Sequence, residues 1–245
     1  MIRNLLLISN STNAGEEYLA WPRTHIKDFL SGFGVHNVLF VPYAGVNLTS
    51  LSVEKSFDLY EERVKKIFSE MGFSLKSIHR EPNPVQAVME AESIVIGGGN
   101  TFHLTRMMHQ QGLMEAIRSK ISQGKPFVGW SAGSNVACPT MKTTNDMPIS
   151  EPASFDCLNV VPFQINPHYL DASPEGHAGE TREQRIMEFL TVNREMTVAG
   201  LREGCLLKVT GDAIIHVGKR SLRVFRFGKE TQEFQSGDDL DFLLG

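Results

Sequence analysis

Short, wholly apolar runs alternate with amphipathic stretches along most of this chain. Leu5-Leu6-Leu7-Ile8 precedes a polar turn, Ser9-Asn10-Ser11-Thr12, and Val38-Leu39-Phe40-Val41 runs out toward Pro42 and Gly45. Continuous apolar runs of this length fit strands buried on both faces. Between Ser52 and Gly72 the period changes: Phe57, Tyr60, Val64, Ile67 and Phe68 recur three or four apart, with Glu61, Glu62, Lys65 and Lys66 between them. This predicts an amphipathic helix closed by Gly72. Strands at 75–78 and 93–96 bracket a predicted helix at 84–90, and Gly97-Gly98-Gly99-Asn100 and two helical stretches reaching Gln123 follow. Residues 125–128 read as a further buried strand and 181–192 as a further amphipathic helix. A β-α-β-α order predicts a mostly parallel sheet covered by helices, with right-handed crossovers. After Gly204 short alternating runs at 206–209, 213–217 and 222–227 are separated by Gly211-Asp212 and Gly218-Lys219, which predicts an antiparallel meander at the sheet's end. The predicted fold class is α/β: one three-layer α/β/α domain over 1–245, with a mostly parallel sheet and an antiparallel C-terminal meander.

Composition narrows the partners. Hydrophobic residues at 41% and charged residues at 21% are ordinary globular usage, which sets aside disorder, collagen and a disulfide-stapled miniprotein. At 245 residues the chain can bury a sizeable core unaided. Lys and Arg number 24 against 28 Asp and Glu, so no basic footprint for nucleic acid is present. Cys138, Cys157 and Cys205 are scattered and form no C-x-x-C pair. That argues against a disulfide framework or a thiolate zinc site and suits a reducing compartment, each thiol reading as a small buried hydrophobe. The apolar run at 5–8 is too short for a signal-peptide core or a membrane span, so a cytoplasmic protein without a membrane partner is expected.

The sharpest chemical feature is Gly129-Trp130-Ser131-Ala132-Gly133, a G-x-S-x-G match between an apolar run and a segment able to begin a helix. Strand, tight turn and helix are the context of a nucleophile elbow, with Ser131 as nucleophile; the plainer reading is a turn in which Ser131 only caps a helix. A serine nucleophile needs a base and an orienting acid. His168, in Asn166-Pro167-His168, follows the apolar stretch 160–163 and is the candidate base, with His103 and His177 as rivals. Two acids compete. Asp146 in Thr143-Thr144-Asn145-Asp146 reproduces the chain order of an α/β-hydrolase, whereas Glu203 lies at the end of the strand-like run 198–201, and that placement favours it. Gly97-Gly98-Gly99-Asn100 is a poor dinucleotide loop because Phe102 stands where the last glycine belongs. It suits instead close backbone approach to a reacting carbonyl, the N–H there and that of Ala132 forming an oxyanion hole.

In series these motifs resemble the peptidase E family of α-aspartyl dipeptidases. The resemblance rests on Leu7-Ile8-Ser9-Asn10-Ser11-Thr12, Gly97-Gly98-Gly99-Asn100-Thr101-Phe102, Gly129-Trp130-Ser131-Ala132-Gly133, Thr143-Thr144-Asn145-Asp146-Met147-Pro148, Ile165-Asn166-Pro167-His168, Gly176-His177 and Gly179-Glu180-Thr181-Arg182-Glu183-Gln184-Arg185. It implies a serine peptidase that removes an N-terminal Asp from dipeptides, on a fold related to class I glutamine amidotransferases. Ser131 would be the nucleophile and His168 the base. The amidotransferase-like order Ser, His, Glu favours Glu203 as the acid and leaves Asp146 as a structural or substrate-loop residue. Ser134 stands where bacterial members are expected to carry Ala. Gly99 and Ala132 are the expected oxyanion-hole residues, and Asn100 and Arg182 the expected substrate contacts. Arg182 also starts a helix in the capping box Thr181-Arg182-Glu183-Gln184, where a guanidinium adds to the helix dipole for an anionic Asp side chain. No metal or cofactor is expected, no H-e-x-x-H-type spacing being present. The expected partner is a small Asp-Xaa peptide, with a homodimer left open. A cyanophycinase-like β-aspartyl peptidase and a non-catalytic binding module on the same scaffold are the alternatives.

Overall fold

The computed structural model describes residues 2–171, 176 and 179–245. Its elements, in chain order, are β1 (Asn4–Ile8), α1 (Arg23–Gly32), β2 (Asn37–Val41), α2 (Val53–Glu70), β3 (Ser74–Ser77), α3 (Pro84–Glu90), β4 (Ser93–Ile96), α4 (Thr101–Gln110), α5 (Leu113–Ser122) and β5 (Phe127–Trp130). Then come α6 (Ala132–Asn135), β6 (Gln164–Tyr169), α7 (Arg182–Val192), β7 (Thr197–Arg202), β8 (Cys205–Thr210), β9 (Ala213–Gly218), β10 (Leu222–Arg226) and β11 (Gln232–Phe234).

The main sheet has seven strands in the order β3-β2-β4-β5-β1-β8-β9. The first five are parallel, and β8 and β9 add antiparallel at the β1 side. The apolar runs are continuous because both faces are buried and successive side chains point to opposite faces. Leu5, Leu7, Leu39, Ile94 and Phe127 enter one core with α3, α4, α5 and α6. Leu6, Ile8, Phe40, Val95 and Trp130 enter the other with α1 and α2. Helix α2 ends in a Schellman turn at Gly72, the Phe73 N–H reaching the Phe68 carbonyl and the Gly72 N–H that of Ser69.

The meander is divided. Only β8 and β9 extend the main sheet; β10 pairs antiparallel with β7 in a second, four-stranded sheet ordered β11-β10-β7-β6. Helix α7 packs there through Ile186 and Leu190 against Tyr169, Val198 and Phe225. Helix α1 carries only a short apolar stripe of Ile26, Phe29 and Leu30, too brief to stand out by period. The apolar run 160–163 is buried loop. The strand begins after it, at Gln164, and runs through Asn166 and Pro167, residue types that disguise a strand. Among the described residues no helix is long and apolar enough to cross a membrane.

Buried Arg202, the last residue of β7, secures this second sheet. Its guanidinium donates to Asp171 at 2.8 Å and to Glu233 of β11 at 2.9 Å. Arg202 holds the Asp171 carboxyl below its ordinary value against the opposing effect of burial. Burial pushes Glu233 up, but Arg202, Ser221 and Arg223 pull it below its ordinary value overall. Acids with depressed folded pKa values stabilise the fold above their unfolded pKa, and that stability is lost as pH falls through the folded value. Urea midpoints are therefore expected to fall as pH drops below roughly 4, and to fall less steeply in Arg202→Met; parallel pH profiles would remove this network from the acid response.

Candidate active site

The G-x-S-x-G segment turns sharply from β5 into α6. Ser131 sits at the corner with φ 55° and ψ −113°, a conformation that L residues rarely adopt. Its N–H donates to the Ile8 carbonyl at 3.0 Å, and its carbonyl accepts from the Ser134 and Asn135 N–H groups. Gly133 has no alternative: a Cβ there would lie 2.1 Å from the Ile96 carbonyl oxygen. The Ser134 hydroxyl lies 2.8 Å from the carbonyl oxygens of both Ile8 and Gly129, so it pins the elbow to β1 in a way that an Ala could not.

His168 reaches the same point from the second sheet. The β6–β7 ladder slips between Pro167 and Tyr169, leaving His168 out of register with φ 52°. Such bulges re-aim a side chain, and here the imidazole Nε2 lies 3.0 Å from Ser131 Oγ. Its Nδ1 lies 2.7 Å from Glu203 Oε1. An ionised carboxylate only accepts, so Nδ1 carries the proton and Nε2 is left to accept from the serine hydroxyl. Glu203 occupies the two-residue turn by which the chain leaves the second sheet at Arg202 and enters the main sheet at Cys205. The end of β1 supports all three residues. Besides the Ile8 carbonyl under Ser131, Ser9 Oγ accepts the His168 N–H at 3.0 Å and donates to the Leu201 carbonyl at 2.7 Å. Asn10 Oδ1 accepts the Gly204 N–H at 2.8 Å.

Asp146 is placed elsewhere. Its carboxylate accepts from the Thr101 N–H at 2.7 Å, the Thr101 hydroxyl at 2.6 Å and the Thr144 hydroxyl at 3.0 Å, holding its loop to the start of α4. Asn100 lines the cleft while its side chain caps α4 at His103 and donates to the Met147 carbonyl. His103 turns its Nδ1 to the Tyr43 carbonyl at 2.8 Å, away from Ser131, and His177 lies outside the described residues.

The glycine loop is clamped from two sides. Gly99 has φ 133°, and a Cβ there would fall 2.2 Å from the Ala44 carbonyl oxygen, which accepts the Asn100 N–H at 2.8 Å. On the other side the Tyr60 hydroxyl donates to the Gly98 carbonyl at 3.0 Å. Across a planar trans peptide the Gly99 N–H then points the opposite way. Burial raises the Tyr60 phenol, keeping it a donor, and Trp130 Nε1 lies 3.1 Å behind it. Among the described residues neither the Gly99 nor the Ala132 N–H has a hydrogen-bond partner. A Cβ on Gly98 would stand 2.9 Å from Ser131 Cβ, so the loop and the serine are in contact. Nothing in the sequence singled out Tyr60, whose place in the apolar stripe of α2 made it look like plain core.

Ser131, His168, Gly99, Tyr60 and Asp146 line a cleft of about 710 Å³ that also holds Arg182. The expected capping box closes at Thr181 and Gln184 and sets Arg182 as the first residue of α7. Burial and neighbouring Arg185 lower the Arg182 guanidinium from its ordinary value, with Asp146 opposing them. Among the described residues no three His, Cys, Asp or Glu side chains are grouped to hold a metal ion.

The model of peptidase family S51 matches residues 5–217. Peptidase E of Nostoc sp. is 49% identical over 244 residues, covering 100% of this chain and 98% of its own. Peptidase E of Salmonella heidelberg is 41% identical over 233 residues, covering 95% and 98%. A crystal structure of a peptidase from an acI-B1 Actinobacterium superposes with a TM-score of 0.71 at 16% identity, over 98% of this chain and 97% of that one, and shares the fold. The chain belongs to peptidase family S51 and is a peptidase, a hydrolase of peptide bonds.

The Ser9 hydroxyl bridges the His168 N–H and the Leu201 carbonyl. Ser9→Ala is expected to destabilise the protein by about 1–3 kcal/mol and to depress peptidase kcat at temperatures where the variant is fully folded. Unchanged turnover in folded Ser9→Ala would show that His168 is positioned without it.

Proposed function

We propose that this protein is a serine-type dipeptidase that hydrolyses α-linked Asp-Xaa dipeptides. The observation that carries the reading is the continuous line from Ser131 Oγ through His168 to Glu203, in a cleft that also contains Arg182. In this mechanism His168 Nε2 takes the Ser131 proton as Oγ attacks the scissile carbonyl. The tetrahedral oxyanion accepts hydrogen bonds from the Gly99 and Ala132 N–H groups. Collapse breaks the C–N bond, with His168 returning the proton to the leaving amine, and leaves an Asp ester on Ser131. Water, deprotonated by His168, then attacks the ester and releases Asp and the free serine. Glu203 holds the imidazole tautomer and balances the imidazolium; Asp146 shapes the substrate loop. Arg182 pairs with the side-chain carboxylate of the substrate Asp. The resemblance to peptidase E supports the α-aspartyl specificity.

The test is hydrolysis of Asp-Leu, Glu-Leu, Asn-Leu and β-Asp-Leu by wild type and Ser131→Ala. Activity on Asp-Leu far above that on the other three is expected, with kcat down by roughly 10⁶-fold in the variant and by about 10⁴-fold in Glu203→Gln. Activity confined to β-Asp-Leu would replace the reading with a β-aspartyl peptidase. Silence on all four, with Ser131 unlabelled by a serine-reactive phosphonate, would leave a binding module.

Arg182→Ala separates specificity from chemistry. It is expected to cost Asp-Leu hydrolysis roughly 10- to 100-fold in kcat/KM while affecting the residual turnover of Asn-Leu far less. Equal losses on both substrates would remove Arg182 from recognition of the Asp side chain.

A further inference from the structure

The cleft contains a second arginine that this mechanism leaves unused. Arg63 lines it together with Ser131 and Arg182, but arrives from the other side of the sheet. It lies on α2, three residues after Tyr60 and therefore on the same helical face. The buried residues of α2 around it, Tyr60, Val64 and Ile67, belong to the core shared with Trp130. Arg182 faces Asp146, which is bound to the start of α4, and α4 packs in the opposite core through Leu104 and Met108. Ser131, at the end of central strand β5, lines the same cleft as both cations.

Arg63 is also held ready. It is exposed and makes no ion pair among the described residues, and its guanidinium lies 5.4 Å from the centre of the Tyr18 ring. The Tyr18 hydroxyl lies 3.0 Å from that of Tyr60, which bonds the Gly98 carbonyl next to Ser131. Burial raises both phenols, and the nearby Arg63 charge works against that rise.

We propose that Arg63 binds the C-terminal carboxylate of the substrate and so confines the enzyme to dipeptides, an inference that rests on the aspartyl dipeptidase reading above. An α-linked Asp-Xaa dipeptide carries two carboxylates, one on each side of the scissile bond. The Asp side chain lies on the acyl side and the chain terminus on the amine side. Two arginines brought into one cleft with Ser131 by different helices can take one carboxylate each. A longer peptide puts a neutral amide where the terminal carboxylate belongs, leaving Arg63 without its partner.

The experiment compares kcat/KM of wild type, Arg63→Ala and Arg63→Lys on Asp-Leu and on Asp-Leu-amide, with Arg182→Ala alongside. Wild type is expected to prefer the free acid. Arg63→Ala should lose roughly 10- to 100-fold on Asp-Leu, mainly through KM, with little change on the amide, and Arg63→Lys should fall between. Arg182→Ala should lose activity on acid and amide alike. Equal losses of Arg63→Ala on both substrates, or a wild type indifferent to the amide, would overturn the role of Arg63 and leave the aspartyl reading standing. A wild type that cleaves neither substrate would overturn the aspartyl reading and this inference with it.

Discussion

Three consecutive residues at the end of β1 hold the candidate active site together. The Ile8 carbonyl receives the Ser131 N–H, the Ser9 hydroxyl receives the His168 N–H, and the Asn10 side chain receives the Gly204 N–H beside Glu203. Ser131 belongs to the main sheet, whereas His168 and Glu203 are delivered by the second. Ile165, Leu201 and Val224 of the second sheet share a core with Leu5, Leu7 and Leu207 of the main one, yet at the edge where β1, β6 and β7 end, hydrogen bonds of about 3 Å between side chains tolerate little shift. The segment Ile8-Ser9-Asn10 turns that edge into a joint, and Ser9 and Asn10 are themselves fully buried, where lost hydrogen bonds cannot be replaced by water.

The joint has to hold strained residues. Among the described residues Ser131 and His168 are two of four non-glycine residues with positive φ, and they are hydrogen-bonded to each other. Such conformations persist only where the surroundings over-determine them. Around Ser131 those surroundings are the carbonyl contacts of Gly133, the Ser134 hydroxyl and the glycine loop. Around His168 they are the bulge and Ser9. The clamp on the Gly98–Gly99 peptide by Tyr60 works the same way: the Gly99 N–H is fixed by holding the other end of its peptide.

A cleft on a sheet with different helices on its two faces is asymmetric by construction. Helix α2 brings Tyr60 and Arg63 from one core, and the Asp146 loop with Arg182 comes from beside the other. This puts two separate cations, Arg63 and Arg182, into one cleft with Ser131.

Much of this was legible in the chain. The alternating apolar runs gave the parallel strands because each is buried on both faces. The sharp turn at Ser131 was readable because backbone crowding at Gly129 and Gly133 forces glycine at fixed offsets from it. The capping box at Thr181 announced the start of α7 because its bonds are local. What stayed hidden depends on contacts between distant segments. Strand β6 could not be seen behind Asn166 and Pro167, and the meander gave no sign that β10 would leave for a second sheet. Strand-end placement favoured Glu203 over Asp146, but only the crossing of β7 into β8 sets Glu203 at 2.7 Å from His168 and fastens Asp146 to Thr101. Tyr60 read as part of an ordinary helix stripe, and nothing in the sequence singled out Arg63. Local periodicity records which face of an element is buried; which side chains meet across 159 positions, as Ser9 and His168 do, is decided by how the two sheets dock.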